Sequence, residues 1–370
     1  MLTKFEVSGF KNFSSPYTFQ LNAAKGYNFN ADCVQNDVIQ KAIIYGPNSI
    51  GKSNLGLAIF DLISHVTDKS KGEGLYSHYL HANHLDGHAS FKYSFTFSSG
   101  TVQYSYTKKD HETLIFESIS INDQLFAEIN RKNSSKAKIY ANGAEHLETD
   151  LGDSIISLLT YIKRSTVLVK NQTNQCFDDF LHFVEHMLFF RSLSFNCYIG
   201  LEQGSKGIEK DIIEHENVVD FQNFLQKVGI HYQLKAMTQD GSHQLYADFN
   251  GNYKPFFEIA SQGTQSLALF YFWLQRIEQQ KNVSFLFIDE FDAFYHHSLS
   301  KEIVQLLKKM SSQVILTTHN TSIMNNDLLR PDCYFVMKEK NIQSLAGASR
   351  KELREAHNIE KMYKAGSFGK

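Results

Sequence analysis

One octapeptide has residue types and spacing that suit phosphate binding. It consists of Gly46, Pro47, Asn48, Ser49, Ile50, Gly51, Lys52 and Ser53. It fits G-x-x-x-x-G-K-[ST], with an apolar run before it and helical apolar spacing after it. Glycines let backbone N–H groups converge on phosphate oxygens, and the N-terminus of the following helix adds partial positive charge. In such a loop Lys52 reaches the β- and γ-phosphates and the Ser53 hydroxyl binds Mg²⁺; a chance turn would not explain the flanking pattern.

Two carboxylates follow a second apolar run. Residues 285–288 are all apolar, which predicts a buried strand, and Asp289 and Glu290 come directly after them. Asp289 would then hold Mg²⁺, and Glu290 would polarise an attacking water molecule. Acidic residues after a buried strand are common by themselves, so this interpretation depends on the phosphate-binding loop.

A histidine ends the next apolar strand pattern. The run 314–316 is followed by two threonines and then by His319. An isolated histidine is more often structural than catalytic. Its place one strand after the carboxylate pair favours a position against a γ-phosphate.

A serine-glycine segment opens a helix that is apolar almost all round. Ser261 and Gly263 precede the apolar stretch 267–274. Ser261 would cap this helix, and the free N–H groups at its start would bind an anion. The alternative is an ordinary helix N-cap with no ligand.

These side chains need strands and helices to position them. Apolar periodicity predicts strands over 2–9, 19–21, 42–45, 91–97, 102–106, 114–121, 231–237, 244–249, 285–288 and 314–317. Helical spacing covers 53–66, 150–169, 176–190, 218–228, 264–277 and 299–310. Strand–helix alternation at both ends predicts an α/β fold, with a mainly parallel sheet flanked by helices. Two hairpins predict an additional antiparallel part.

Composition excludes several classes of protein. The 370 residues are 42% hydrophobic with a formal net charge of −2, so general attraction to nucleic acid is not built into the whole chain. Four separated cysteines, with no CxxC pair, favour neither a zinc site nor a disulfide framework. They are Cys33, Cys176, Cys197 and Cys333. No signal peptide and no apolar run long enough for a membrane span is found, so we expect a cytoplasmic protein.

The order of these motifs resembles that of ABC-type ATPase heads, in the SMC/RecF branch. More closely, the chain is similar to stand-alone bacterial ATPases of the RloA/AbiL-like kind, many of which belong to anti-phage systems. Segments 5–13 (FEVSGFKNF), 187–200 (MLFFRSLSFNCYIG) and 360–369 (EKMYKAGSFG) are also similar to that family. The resemblance covers 1–66 and 185–370, which would form a two-lobed head. It is weak over 67–184, a predicted β-hairpin and helical insertion.

The resemblance assigns roles residue by residue. Walker A would comprise Gly46, Asn48, Gly51, Lys52 and Ser53, and Walker B would comprise Asp289 and the catalytic carboxylate Glu290. Asp292 would be the D-loop aspartate, and His319 the switch histidine. Ser261 and Gly263 match the signature motif, although Gln262 replaces its usual first glycine. Gln103 is one candidate for the Q-loop glutamine.

The implied function is hydrolysis of ATP with Mg²⁺ in a homodimer that sandwiches the nucleotide. The stretch between Ser53 and Ser261 is too short for long coiled coils and lacks sustained heptads. We therefore expect a regulator of a separately encoded effector, in anti-phage defence. Two alternatives stay open: a DNA-binding repair ATPase of the RecF kind, and a toxin or nuclease within 67–185.

Two smaller features have competing interpretations. The basic group Arg131, Lys132, Lys136 and Lys138 would contact nucleic acid or a partner, or would belong to a solvated loop. His296 and His297 would bind a metal only with a third ligand, which the sequence does not offer. Polar residues at a helix start are therefore the better interpretation of the two histidines.

Overall fold

The structure is a computed structural model of the full chain. It describes residues 1–67, 69, 73–83, 86–152, 154–191, 198–200, 207–239, 242–280, 283–293, 297–349 and 351–369. His296 and Cys197 lie outside the described residues.

Strands supply most of the framework. They are β1 Leu2–Ser8, β2 Tyr17–Gln20, β3 Val34–Gln35, β4 Val38–Ile39, β5 Lys41–Tyr45, β6 Ala89–Phe97, β7 Gly100–Lys108, β8 Leu114–Ile121, β9 Gln124–Asn130, β10 Lys138–Ile139, β11 Met187–Arg191, β12 Tyr198–Gly200, β13 Leu234–Gln239, β14 Ser242–Phe249, β15 Asn252–Pro255, β16 Phe285–Asp289, β17 Gln313–Thr318, β18 Tyr334–Met337 and β19 Ile342–Ser344.

The helices vary widely in length. They are α1 Lys52–Phe60, α2 Ile63–Val66, α3 Leu158–Ser165, α4 Gln172–Glu185, α5 Ile208–Glu214, α6 Val218–Lys227, α7 Phe256–Ile259, α8 Gln262–Gln280, α9 His297–Lys308, α10 Leu345–Ala348 and α11 Ile359–Lys364.

Two seven-stranded sheets organise the molecule. The first is antiparallel, in the order β10-β9-β8-β7-β6-β1-β2. The second has the order β12-β11-β16-β17-β5-β18-β19, in which the five inner strands are parallel and the two edge strands antiparallel. A separate three-stranded antiparallel sheet contains β13, β14 and β15. The expected α/β architecture with an added antiparallel lobe is therefore observed.

Helix α1 lies between the two large sheets. Its residues Leu55 to Phe60 are all buried, as expected for a helix that is apolar all round. A Cβ added at Gly56 would meet Phe287 and Phe189 of the parallel sheet at 2.7 and 2.8 Å. On its other side, the Tyr93 hydroxyl of the antiparallel sheet donates to the Ala58 carbonyl over 2.9 Å. The helix that follows the octapeptide thus joins both layers.

The antiparallel sheet crosses the expected boundary between head and insertion. Strand β1 pairs with β6, with Phe5 opposite Tyr93, so residues from both sides of position 67 share one sheet. In β6 buried and less buried residues alternate, which is the period-2 pattern of a half-buried strand. The segment 67–184 therefore completes the lobe begun by residues 2–20.

Two predicted helices are wrong in part. Among the described residues of the range 150–169, only Leu158–Ser165 is helical. The Ser157 hydroxyl caps the start of this helix by accepting from the Leu159 N–H. The helix predicted over 176–190 ends at Glu185, and Met187–Arg191 is a strand that pairs with β16. A short, fully apolar run fits a buried helix or a buried strand equally well, so periodicity alone misassigned it.

The helix predicted over 53–66 divides into α1 and α2 at residues 61–62. Elsewhere the predicted strands and helices are confirmed within a few residues. Over the described residues, no helix is long and apolar enough to cross a membrane.

Candidate functional site

Three neighbouring parallel strands bring the motif residues to one edge of the second sheet. Strand β17 lies between β16 and β5, and all three run in the same direction. Their carboxyl ends carry, respectively, the threonines before His319, the Asp289–Glu290 pair and the octapeptide. Ligands of open α/β sheets bind at the carboxyl ends of the strands, so the topology itself predicts a site here.

The octapeptide has the backbone of a phosphate-binding loop. Gly51 has φ +110°, a conformation that favours glycine, and an added Cβ would lie 2.1 Å from the Asn12 side chain. Asn12 donates to the Ile50 carbonyl over 3.0 Å and accepts from the Asn54 amide over 2.9 Å. Gly46 is also confined, because an added Cβ would lie 2.9 Å from the Ile50 side chain. The N-terminal turn therefore clamps the loop, and sequence analysis missed Asn12 as its partner.

The Lys52 ammonium lies at the centre of the site. It donates to the carbonyls of Gly46 and Pro47 over 2.9 and 3.1 Å. It also lies 3.0 Å from His319 Nε2. Burial lowers the pKa of Lys52, and the negative charges of Glu290 and Asp289 oppose that shift. A partly desolvated cation is therefore held close to the two acidic side chains.

Glu290 and His319 lie next to each other in the site. His319 Nε2 lies 3.5 Å from Glu290 Oε1. Glu290 has φ +49°, an uncommon conformation for a residue other than glycine, and its N–H donates to Thr317 Oγ1 over 2.8 Å. Its Oε2 atom is buried and has no hydrogen-bond partner. Backbone strain of this kind collects at functional sites, where the surrounding structure maintains it.

The two carboxylate oxygens of Asp289 have different partners. The residue is fully buried, and Oδ1 accepts from the Thr317 hydroxyl over 2.7 Å. Oδ2 lies 3.2 Å from the Nε atom of Arg191, at the end of β11. Sequence analysis did not select Arg191, because its run was assigned to a helix. A strand assignment for 187–190 would have put Arg191 at the same sheet edge.

Asp292 is a second buried carboxyl group near the cavity. Its Oδ1 accepts from the Thr318 hydroxyl over 2.6 Å. Burial raises the pKa of Asp292, against the effect of the hydrogen bond from Thr318. The Oδ2 atom has no hydrogen-bond partner.

One open cavity of about 860 Å³ lies beside these groups, although Gly46 and Asp289 do not line it. It is lined by Asn48, Ser49, Gly51, Lys52, Ser53, Asn54, Arg191, Glu290, Asp292, Ala293, Thr318, His319 and Asn320. Hydroxyl and carboxylate oxygens are the donors that Mg²⁺ prefers, and Ser53 and Asp289 offer one of each. With a glycine-containing loop and a lysine beside them, these residues fit a Mg²⁺-bound nucleoside triphosphate. No group of three or more metal-ligating His, Cys, Asp or Glu side chains occurs in the described part of the chain.

Ser261 and Gly263 do not line this cavity. Both lie at the start of α8, where the Ser261 hydroxyl accepts from the Thr264 N–H over 3.2 Å. This is the expected N-cap, and Ser261 is exposed. Of the predicted site residues, those that line the cavity are Asn48, Gly51, Lys52, Ser53, Glu290, Asp292 and His319. Gly46 and Asp289 belong to the same loop and the same strand end but do not line it.

The weaker candidates lie elsewhere. Gln103 is on β7, where it donates to Asp123 over 2.8 Å and lines a different, smaller cavity. Of the basic group, Lys138 pairs with Glu128 at 3.2 Å, and Arg131 is half-buried and donates to the Ile156 carbonyl over 2.6 Å. His297 begins α9, as expected for a polar residue at a helix start.

Comparison of sequences identifies a family. Residues 41–325 match the sequence profile described as "AAA domain, putative AbiEii toxin, Type IV TA system". The match runs from the first residue of β5 to beyond β17 and so includes every strand that carries a cavity residue. Among individually curated proteins, none matches the chain significantly.

Solved structures of SMC head domains and of RecF are similar to the chain at low identity. The "SMC head domain from Thermotoga maritima" has 14% identity and a TM-score of 0.42, over 93% of this chain and 98% of its own. An Smc head domain from Pyrococcus furiosus, bound to the C-terminal domain of ScpA, has 13% identity and a TM-score of 0.44, over 98% of each chain. The recombination mediator protein RecF with ATP has 14% identity and a TM-score of 0.42, over 93% of this chain and 99% of its own.

Proposed function

We propose that this chain binds Mg²⁺ and ATP and hydrolyses ATP to ADP and phosphate. The chain belongs to the AAA-domain family matched by residues 41–325. The family model shows an AAA domain, and the order of the second sheet confirms the predicted α/β fold with a mainly parallel sheet. An ABC/SMC-type ATPase head agrees with both observations. The observation that carries the proposal is that Lys52 and Glu290 line one cavity, with Asp289 at the end of the strand directly before Glu290.

Each side chain has a defined task in this reaction. The loop N–H groups and the Lys52 ammonium would hold the β- and γ-phosphates, and Ser53 and Asp289 would hold Mg²⁺. The metal, when bound, neutralises charge that develops on the phosphate oxygens. Glu290, which lines the cavity, would accept a proton from the attacking water. His319, beside both Lys52 and Glu290, would orient the γ-phosphate.

The direct test is nucleotide binding by Lys52→Ala. This change removes the cation that would face the phosphates, so ATP affinity should fall at least about tenfold, a difference of roughly 1.4 kcal/mol. Binding is measured by calorimetric titration, and circular dichroism checks that the fold is unchanged. Lys301→Ala, outside the cavity, is the control. Equal ATP affinity in wild type and Lys52→Ala would refute the assignment.

We further propose that two copies of the chain complete each other's site. Ser261 and the start of α8 lie outside the cavity of their own chain, with an exposed serine at the helix N-terminus. Helix N-termini bind anions, so this segment would stabilise a γ-phosphate held by a second copy. A two-fold dimer makes such contacts reciprocal.

Complementation tests the shared site. Ser261→Arg would place a bulky cation against the partner's phosphate, and Lys52→Ala would disable the loop, so each variant alone should be nearly inactive. Co-expression forms heterodimers in about half the population, in which one site of two is intact. We therefore expect up to roughly a quarter of wild-type turnover, less if the two sites must act together. A monomer with full activity at high dilution would exclude the shared site.

We also propose that ATP turnover regulates a separately encoded effector in anti-phage defence. Support comes from the family description, which names a putative AbiEii toxin and a type IV TA system. The chain should copurify with the product of an adjacent gene, and Glu290→Gln should change that effector's activity. Full protection of cells by this gene alone would contradict the proposal.

A DNA-binding repair ATPase is the second candidate function. The low net charge of −2 and the engagement of Arg131 and Lys138 within the chain do not favour it. DNA binding that requires ATP and weakens with salt would establish it instead.

A further inference from the structure

The geometry points to a role for Arg191 that the motifs do not contain. Arg191 ends β11 directly opposite Asp289 in the parallel pairing of β11 with β16. Its side chain lines the candidate cavity, 33% exposed, and Nε lies 3.2 Å from Asp289 Oδ2. Both strands end at this register, so the backbone itself fixes the guanidinium group beside the carboxylate.

The contact is an ion pair without a well-formed hydrogen bond. Neither Arg191 Nε nor Asp289 Oδ2 has a hydrogen-bond partner of acceptable geometry, although their separation is short. Asp289 Oδ1, by contrast, is fully engaged by the Thr317 hydroxyl at 2.7 Å. Arg191 therefore compensates the negative charge of Oδ2 without donating a hydrogen bond to that oxygen.

A buried carboxylate needs such a counter-charge. Asp289 is 0% exposed, and an uncompensated buried charge is strongly destabilising. A divalent cation would provide the same compensation with better geometry, because it prefers carboxylate oxygen as a ligand. A guanidinium group and Mg²⁺ against the same oxygen would repel each other, so metal binding at Oδ2 would disfavour the present position of Arg191.

We propose that Arg191 occupies the position beside Asp289 when no metal is bound, and that binding of the metal displaces Arg191. When Mg²⁺ takes Oδ2, Arg191 turns into the cavity and binds the nucleotide phosphates beside Lys52. Arginine suits this exchange, because its planar group pairs with carboxylate and phosphate alike and remains charged. Metal binding would thus recruit a second cation to the triphosphate. This inference rests on the proposed nucleotide site and adds a phosphate-binding residue to it.

Metal binding without nucleotide is the primary test. Mn²⁺ serves as the probe, and free Mn²⁺ is quantified by electron paramagnetic resonance in full-length protein. Arg191→Met removes the competing charge, so Mn²⁺ affinity should rise at least about tenfold over wild type. Arg191→Lys keeps a cation and should remain within about threefold of wild type. Arg164→Met, an exposed arginine on α3, is the matched control and should leave Mn²⁺ affinity unchanged.

A second variant keeps the test decisive if Arg191→Met does not fold. In Asp289→Asn, with or without Arg191→Met, no buried carboxylate requires compensation. Mn²⁺ affinity should then be weak in both proteins, and the tenfold gain should disappear. A gain that persists in the Asp289→Asn background would overturn the competition between Arg191 and the metal for Asp289.

Nucleotide titration separates this inference from the proposed function. With Mg²⁺ present, Arg191→Met should bind a fluorescent ATP analogue at least about tenfold more weakly than wild type. In excess chelator the two proteins should differ much less, because Arg191 then remains at Asp289. If wild type binds no nucleotide, the proposed function fails. If it binds, and Arg191→Met changes neither Mn²⁺ affinity nor Mg²⁺-dependent nucleotide affinity, only the role of Arg191 is refuted.

Discussion

Two buried aspartates in this protein have opposite surroundings. Asp61, at the end of α1, accepts from the hydroxyls of Tyr79 and Tyr106 over 2.9 and 2.8 Å. It also pairs with Lys108 at 2.8 Å, and neither side chain of that pair is more than 1% exposed. Asp289, equally buried, has one engaged oxygen and one that meets only the Arg191 ion pair.

The contrast distinguishes a structural charge from a functional one. Burial and the charge of Asp61 raise the pKa of Tyr79 and Tyr106 well above the usual value, so both remain neutral donors to that carboxylate. A fully satisfied network gains nothing from a ligand and fixes α1 against the antiparallel sheet. At the cavity, oxygens of Glu290 and Asp292 remain without hydrogen-bond partners, as Asp289 Oδ2 does. A ligand bound in the cavity would give these carboxylate oxygens the partners that they lack.

The largest effect should be a loss of ATPase activity when a cavity carboxylate without a full set of hydrogen bonds is changed. Glu290→Gln keeps the side chain's size and removes its basicity, so the ATPase rate should fall about 10²–10⁴-fold. ATP binding should persist, and the free energy of unfolding should change by less than about 0.5 kcal/mol, because Oε2 makes no hydrogen bond. Steady-state phosphate release and urea unfolding measure the two quantities. Wild-type turnover in this variant would remove Glu290 from the mechanism.

The satisfied network should show the opposite behaviour. Lys108→Met leaves Asp61 buried with no cation, so unfolding should become easier by about 3–5 kcal/mol. The same urea titration measures this loss. Turnover per folded molecule should fall far less than in Glu290→Gln, because Lys108 lies in the antiparallel lobe. Lys92→Met, an exposed lysine on the adjacent strand β6, is the control and should lose less than about 0.5 kcal/mol.

Sequence patterns predicted which residues lie at the site better than they predicted which side chains contact one another. A loop, a carboxylate pair and a histidine each follow a strand, and parallel strands align their carboxyl ends, so local patterns were sufficient for these residues. Arg191 was missed because a fully apolar run does not distinguish a helix from a buried strand. The Asp61 network joins residues 61, 79, 106 and 108, whose contacts depend on how α1 packs between two sheets. No local period carries that information.

The smallest predicted effect concerns Asp292. It tests whether the ionised, buried carboxylate at the cavity lowers the free energy of unfolding. Burial raises its pKa, so in the folded protein the carboxyl group holds its proton at a pH where the unfolded chain has already released it. The folded state therefore binds more protons over that window, and the free energy of unfolding falls as pH rises from the unfolded value, about 3.9, through the folded one. The penalty then persists at neutral pH.

Asp292→Asn removes that ionisation and keeps an oxygen for the Thr318 hydroxyl, which donates to Oδ1 over 2.6 Å. The variant should therefore be more stable than wild type near pH 7, and its advantage should shrink as pH falls towards about 4. Asp61→Asn should change stability in the other direction, because its charge is paired with Lys108 at 2.8 Å. Urea unfolding across this pH range measures both variants. If Asp292→Asn proves less stable than wild type at neutral pH, the two aspartates are alike, and unsatisfied oxygens do not mark the functional edge.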